Sequence, residues 1–355
     1  MPSQGKAAQG VNATRQTILA VHPGALGDVI LFGRLLEALD GEVTLAAGGQ
    51  KARLLKGLGV VGRALDFDSL PMHEVFTDTP PGQCRLRGLL GGHDRLISCF
   101  AAGEPHAQER LAAIAGASVV HFLPVRPPAN FTGHLVDHWR QMLGEAPCGA
   151  AAFGSTWPVP ASWRDEARQH LRSLGLGPSE KYWIIHPGAG SPRKCWPLER
   201  FLALACCHEC RPLGRAIFVL GPVECERWPD EARRLPSPIV RGDMPERFPT
   251  LVCPPLTTLA GALAGANAFV GNDSGVSHLA AAVGADTVAV FVASQGRHFA
   301  PLGRRVQIVS GHAPAGRPSG AAAAGLPVEP VLEALLRFSA QSSTGNSCRE
   351  PKVGV

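Results

Sequence analysis

The chain has 355 residues, of which 45% are hydrophobic and 18% charged, and its net charge is +5. Those proportions suit a globular protein and exclude a disordered or fibrous one, and the length exceeds what one hydrophobic core usually serves, so two domains are expected. Lys and Arg are dispersed instead of gathered into a basic stripe with interleaved aromatics, which argues against nucleic acid and for a ligand carrying a few phosphates.

The opening stretch MPSQGKAAQGVNATRQ is polar and lacks the apolar core of a signal peptide. It reads as a disordered lead, residues 1–16, into a cytoplasmic protein. Short apolar runs then alternate with amphipathic stretches, the pattern of a parallel sheet covered by helices. In the first half the predicted strands are TILAV (Thr17 to Val21), EVTLAA (Glu42 to Ala47), RLISCF (Arg95 to Phe100) and ASVVHF (Ala117 to Phe122), with a helix from Asp28 to Leu39. Pro158 and Pro160 break the pattern, a charged helix follows, and Gly175, Gly177 and Pro178 end it, which places a hinge there. In the second half the strands are YWIIH (Tyr182 to His186), AIFVL (Ala216 to Leu220), AFVG (Ala268 to Gly271) and TVAVFV (Thr287 to Val292). GHAPAGRPSGAAAAGLP reads as a loose loop, VEPVLEALLRF as a last helix, and the polar remainder as a disordered tail. No apolar run reaches the length of a membrane span.

Ten cysteines are present. Cys84, Cys99, Cys148, Cys195, Cys225, Cys253 and Cys348 are scattered, in a chain too long to need a disulfide framework, and read as reduced thiols. Cys207 and Cys210 form a C-x-x-C around His208, but a zinc site needs two further ligands and no second pair exists; LERFLALACCHEC instead continues a helical pattern.

In open α/β sheets ligands sit at the carboxyl ends of strands, and three strand-to-helix turns there carry chemistry. HPGALGD, His22 to Asp28, lacks the G-x-G-x-x-G of dinucleotide binders and puts a carboxylate at a helix N-terminus, where it would repel a pyrophosphate. Asp28 is either an N-cap, worth about 1 kcal/mol, or a general base facing a cleft. A helix N-terminus lowers its basicity, so proton transfer there relies on positioning or on compensating burial. HPGAGSPRKCWP, His186 to Pro197, offers Gly188 and Gly190 for close backbone approach to an anion, with positive charge on Arg193 and Lys194. In VGNDSGVSHLAAAVGA, Asn272, Asp273, Ser274 and Gly275 can cap a helix and present backbone N–H groups, and His278 lies one turn in. The two later turns share one half of the chain and could converge on a diphosphate.

Taken in order, ILAVHPGALGDVILFGRLLEAL, WIIHPGAGSPRKCWPLERFLALA and FVGNDSGVSHLAAAVGADTVAVFVAS resemble glycosyltransferase family 9, the ADP-heptose:lipopolysaccharide heptosyltransferases and their relatives, over Thr17 to Phe338. The resemblance implies an α/β GT-B fold, two Rossmann-like domains facing across a cleft. The acceptor would sit on residues 17–160 and the nucleotide sugar on residues 181–339, with a linker at 161–180 and a tail at 340–355. It makes Asp28 the catalytic base and Lys194 a ligand of the donor phosphates. Asp273, Ser274, Gly275 and His278 become the donor-binding turn, joined on the donor side by Gly188 and Gly190 of the anion-approach turn read above, and Glu224 becomes the ribose ligand, with Glu226 a near competitor. It implies inverting transfer of a sugar, heptose from ADP-heptose, to a lipopolysaccharide inner-core or related glycan acceptor at the cytoplasmic face of the inner membrane, with no cofactor or metal. The chain departs from the family pattern at His22, where arginine is common, at Ala189 and Gly190, where hydroxyl residues can stand, and at Val292, where glycine is frequent.

Three competing readings are weaker. DFD, Asp66 to Asp68, spells the metal-binding D-x-D of the other major transferase fold but lacks its context and reads as a strand end. A nicotinamide dehydrogenase would need the missing glycine fingerprint. A noncatalytic nucleotide-sugar binder has no use for Asp28. The stretch Gly49 to Gly59 carries Lys51, Arg53 and Lys56 as either a contact for anionic acceptor or lipid, or a solvated helix face.

Overall fold

The computed structural model describes residues 15–147, 153–228, 236–241, 244–292, 296–311 and 325–344. Residues 1–14 of the polar lead, Cys148, most of the Gly311 to Pro327 loop, and 345–355 with Cys348 lie outside them. The first sheet contains β1 (Thr17–His22), β2 (Glu42–Ala47), β3 (Arg63–Asp66), β4 (Arg95–Ser98) and β5 (Val119–Phe122), all parallel in the order β3-β2-β1-β4-β5. The chain continues through β6 (Tyr182–His186), β7 (Arg215–Leu220), an antiparallel pair β8 (Pro236–Arg241) and β9 (Met244–Arg247), then β10 (Thr250–Val252), β11 (Phe269–Asn272), β12 (Thr287–Phe291) and β13 (Val306–Ser310). Its second sheet is parallel in the order β10-β7-β6-β11-β12-β13.

Side-chain alternation along the strands decides which helices cover which face. Leu19 and Val21 of β1 pack with α3 (Arg85–Leu90) and α4 (Pro105–Ala115) on the outer face of the first sheet, whereas Ile18 and Ala20 face inward. The inner layer from that sheet comprises α1 (Leu26–Leu36), α2 (Lys51–Gly57) and α5 (Leu135–Met142). From the second sheet it comprises α6 (Ala161–Ser173), α9 (Leu256–Ala264) and α10 (Gly275–Ala282), while α7 (Leu198–Cys206) and the final helix (Glu329–Thr344) cover the far side. Inner-layer side chains from both halves form one continuous apolar cluster, so the two sheets do not hold wholly separate cores.

Arg34 shows how tightly the halves are joined. Its fully buried guanidinium on α1 donates to Glu37 Oε1 at 2.9 Å, to the Ser155 carbonyl at 3.1 Å and, across to the second half, to the Leu302 carbonyl at 3.2 Å. It lies 4.5 Å from the Trp157 ring centroid, and the Trp157 indole N–H donates to Glu37. The Trp157 backbone N–H donates to the Ala282 carbonyl at the end of α10 at 2.9 Å, which ties the crossing segment to the second half.

The central strands lie where the sequence places them, with ends moved by one or two residues. The structure adds β3, β10, β13 and the β8/β9 pair. The first three are edge or near-edge strands of three to five residues with too few apolar positions to stand out. The α7 helix stops at Cys206 instead of continuing through CCHEC: Pro212, which has no N–H and restricts the residue before it, leaves His208–Leu213 as a 3-10 turn. The final helix runs on to Thr344, past the expected start of the tail at 340.

Replacing Arg34 with Met removes a pair to Glu37 at the end of α1 and the two bonds, to the Ser155 and Leu302 carbonyls, that leave the helix. The expected loss of unfolding free energy is roughly 2–4 kcal/mol, read from a urea denaturation series.

Candidate active site

In each sheet the strand order reverses at a central strand, beside β1 in the first and between β6 and β11 in the second. The turns leaving these strands are the three singled out in the sequence, and they face one another because α1 and α10 pack side by side with their N-termini together. A Cβ on Gly275 would stand 2.7 Å from Leu26 Cβ and 3.0 Å from the Gly27 nitrogen; one on Gly27 would stand 2.9 Å from His278 Cδ2. Only glycine at both positions permits that approach.

Asp28 is not the N-cap of α1. Ala25 occupies that position without a side-chain bond, and Asp28 sits in the first helical turn. Its carboxylate is therefore not engaged as an N-cap and lines a cavity of about 650 Å³ shared with Arg126, Lys194, Asp273, Ser274, Gly275 and His278. Burial raises the Asp28 pKa above the usual value of 3.8, against a backbone hydrogen bond at Ala25 and the pull of the Lys194 and Arg126 charges. Desolvation thus supplies the basicity that the helix terminus would otherwise remove.

Across the cavity, the Lys194 ammonium donates to Asp273 Oδ2 at 2.7 Å. Asn272 serves neither as a cap nor as a ligand: its Oδ1 accepts from the Trp196 N–H at 2.9 Å and its Nδ2 donates to the Pro187 carbonyl at 2.7 Å, clamping the two later turns together. Ser274 is the N-cap of α10 but its side chain makes no capping bond, so the helix start presents N–H groups toward the cleft without a side-chain cap. His278 is buried, and burial holds its pKa at about 4, so its imidazole is neutral at neutral pH. Its Nδ1 has no hydrogen-bond partner among the described residues.

Gly190, Ser274 and Gly275 also line a second cavity of about 830 Å³, which continues past Val219, Gly221, Pro222 and Glu224 to Pro254, Leu256 and Leu259. Glu224 is buried and its Oε2 accepts from the Gly221 N–H at 2.8 Å; Glu226 is exposed on the same helix, α8 (Pro222–Arg227), and does not line the cavity. Gly188 has a different part from the one expected of it. It lines neither cavity; a Cβ there would fall 2.0 Å from Glu224 Oε1, so this glycine makes room for the buried glutamate.

Several contributors were missed in the sequence. Arg126 and the Pro127-Pro128 loop after β5, with His298 and Phe299 opposite, form the outer wall beside Asp28. The only hint was a basic residue just past a strand end. His298 Nδ1 bonds to the Gly133 carbonyl at 2.7 Å, and His134 Nε2, with Nδ1 accepting from the Val136 N–H, donates to the Ala300 carbonyl at 3.0 Å, so this wall also joins the two halves. In the basic stretch, Arg53 and Lys56 point to solvent, whereas Lys51 turns inward and lines the larger cavity. Asp66 and Asp68 of DFD both accept from the Gly49 N–H, at 3.2 and 2.9 Å, and hold the turn before α2. Cys207 bonds to Glu209, and among the described residues no group of three or more His, Cys, Asp or Glu side chains could hold a metal ion. None of the helices searched there is long and apolar enough to cross a membrane.

Residues 112–320 match the family model for glycosyltransferase family 9 (heptosyltransferase). The chain is similar to a family 9 glycosyl transferase from Veillonella parvula, with TM-score 0.68 and 19% identity over 92% of this chain and 97% of that one. It is also similar to E. coli ADP-heptose lps heptosyltransferase II, with TM-score 0.67 and 17% identity over 92% and 100% of the two chains. A third likeness is to E. coli heptosyltransferase WaaC with ADP, with TM-score 0.58 and 17% identity over 91% and 100%. Identities of this size show a common fold, GT-B. No curated protein matches the chain.

His22, like His278, is buried with a pKa of about 4 against an ordinary 6.5. Between those values the unfolded chain binds protons that the folded chain refuses, so stability is full above pH 6.5 and falls as the pH drops toward 4. In His278→Gln the slope of unfolding free energy against pH in that window should shrink by about one proton; chemical denaturation at a series of pH values measures it.

Proposed function

The chain belongs to glycosyltransferase family 9, and from that premise we propose that it transfers heptose from ADP-heptose to a hydroxyl of a lipopolysaccharide inner-core or related glycan acceptor, inverting the anomeric carbon. The acceptor occupies the first half, residues 17–160, and the nucleotide sugar the second, residues 181–339, with 161–180 linking them. The observation that carries this reading is that the half-buried Asp28 carboxyl and the Lys194 ammonium open into one cavity from opposite halves, with the start of α10 between them.

In this mechanism Asp28 takes the proton from the acceptor hydroxyl as its oxygen attacks the anomeric carbon, and the bond from that carbon to the diphosphate oxygen breaks in the same displacement. Lys194 and the N–H groups of Ser274 and Gly275 take up the charge that develops on the departing diphosphate. Asp273, bonded to Lys194, holds the ammonium in place instead of facing an anion itself. His278, neutral and packed against Gly27, keeps the wall between base and leaving group dry without adding charge. Glu224 accepts from the ribose hydroxyls at the far end of the larger cavity, and Gly190 lets the backbone approach the phosphates. The ADP bound in the WaaC structure supports an adenine nucleotide as the donor's carrier. A lipid-linked acceptor of this kind would be met at the cytoplasmic face of the inner membrane.

Calorimetric titration with ADP, UDP and GDP, with and without EDTA, paired with a transfer assay, tests this division of labour. Selective ADP binding that EDTA does not change is expected. Asp28→Asn should abolish transfer, by at least about a hundredfold, and leave ADP affinity within a few fold; Lys194→Ala should weaken ADP binding itself by about tenfold or more. Equal losses of binding in both variants would contradict the assigned roles.

A further inference from the structure

Among the described residues, the one lysine or arginine that lines the larger cavity does not come from the second half. Lys194 opens into the smaller cavity and is already paired with Asp273. Among the described residues lining the larger one, Lys51 is the single Lys or Arg, reaching in from the first turn of α2 opposite Gly190, Ser274 and Gly275. The neighbouring Gly48, Gly49 and Gln50 line the same wall, and Gly49 takes the left-handed conformation, with φ of 58°, that turns the chain there.

The Lys51 ammonium donates to the Gly24 carbonyl at 2.9 Å. That bond anchors it over the turn that carries Asp28, beside Leu26, whose side chain meets Gly275 at the start of α10. An ammonium has three N–H donors, so one bond to a carbonyl leaves two for a ligand. The carboxylates in the same lining are held by backbone: Asp68 accepts from the Gly49 N–H at 2.9 Å and Glu224 from the Gly221 N–H at 2.8 Å. The cavity therefore brings a half-buried cation within the reach of the α10 N-terminus, where two sources of positive potential add.

We propose that Lys51 is a donor-phosphate ligand supplied from the acceptor half. This deepens the nucleotide-diphosphate reading given above and rests on it. The diphosphate is then held from both sides, by Lys194 and the start of α10 on its own half and by Lys51 across the cleft. Because the same ammonium is bonded to the Gly24 carbonyl, occupancy of the donor cavity bears directly on the turn that positions the base. Arg53 and Lys56, on the same helix and exposed, carry the same charge without reaching the cavity.

The test compares two probes that differ in the phosphates, ADP and adenosine, by calorimetry on the wild-type chain and on Lys51→Met, Lys51→Gln, Lys51→Arg and Lys56→Met. Loss of a charge-assisted contact to phosphate should weaken ADP binding about tenfold in Lys51→Met and Lys51→Gln, with adenosine affinity changed less than about twofold, and Lys51→Arg should recover most of the difference. Lys56→Met should bind both probes as the wild type does, which excludes a general effect of net charge. Unchanged ADP affinity in the Met and Gln variants would overturn the proposal while leaving the donor reading intact, and so would an equal loss for ADP and adenosine, the signature of a residue that only braces its loop. A wild-type chain that binds neither probe would overturn the donor reading and this proposal together.

Discussion

Two helix N-termini that meet at glycines make this cleft what it is. Gly27 on α1 and Gly275 on α10 bring backbone to within contact distance across the boundary between the halves, and any Cβ would push them apart. The contact carries the turn after β1 onto the turn after β11, so that a carboxylate from one half and an ammonium from the other share a single cavity. Arg34 and Trp157 fasten the opposite ends of the same two helices, and a continuous apolar layer lies between. Geometry at the site is thus inherited from helix packing, which is stiffer than any loop could be.

Electrostatically, the cleft separates charge by environment. Asp28 is lifted toward basicity by burial, and Lys194 is held by Asp273 within the same enclosure. His22, His186 and His278, each at or next to one of the three turns, are all pushed toward the neutral form by burial. They fill space and orient backbone, as His22 does by accepting from the Gly24 N–H at 3.0 Å and His186 by bonding to the Val219 carbonyl at 2.9 Å, without competing for an anionic ligand. Holding these imidazoles neutral should weaken the fold as the pH falls below their ordinary value of 6.5.

Much of this was legible in the sequence because strand-to-helix turns concentrate their chemistry in a few consecutive residues. HPGALGD, HPGAGSPRK and NDSGVSH announced Asp28, Lys194 and the start of α10, and the central strands around them read as apolar runs. Roles inside a turn were harder. Asp28 looked like a cap, but the helix begins two residues earlier than the pattern suggested; Gly188 looked like an anion-binding glycine, but its space belongs to Glu224, 36 positions along the chain. Arg126 carried almost no local signal, and the basic stretch that holds Lys51 gave no sign of which of its three cations turns inward, because a neighbour from another part of the fold decides both. Short edge strands such as β10 escaped for a related reason, since their pairing partners, not their own composition, define them.

The central claim, that catalysis depends on the close meeting of α1 and α10, is tested most directly by steady-state transfer kinetics and ADP titration of Gly27→Ala. Its new methyl would press on His278 Cδ2 at 2.9 Å and open the gap between base and donor without touching the larger cavity. The account predicts that kcat falls by about tenfold or more while ADP affinity stays within about twofold, since small displacements of reacting groups are costly to rate. A wild-type kcat in this variant would contradict it.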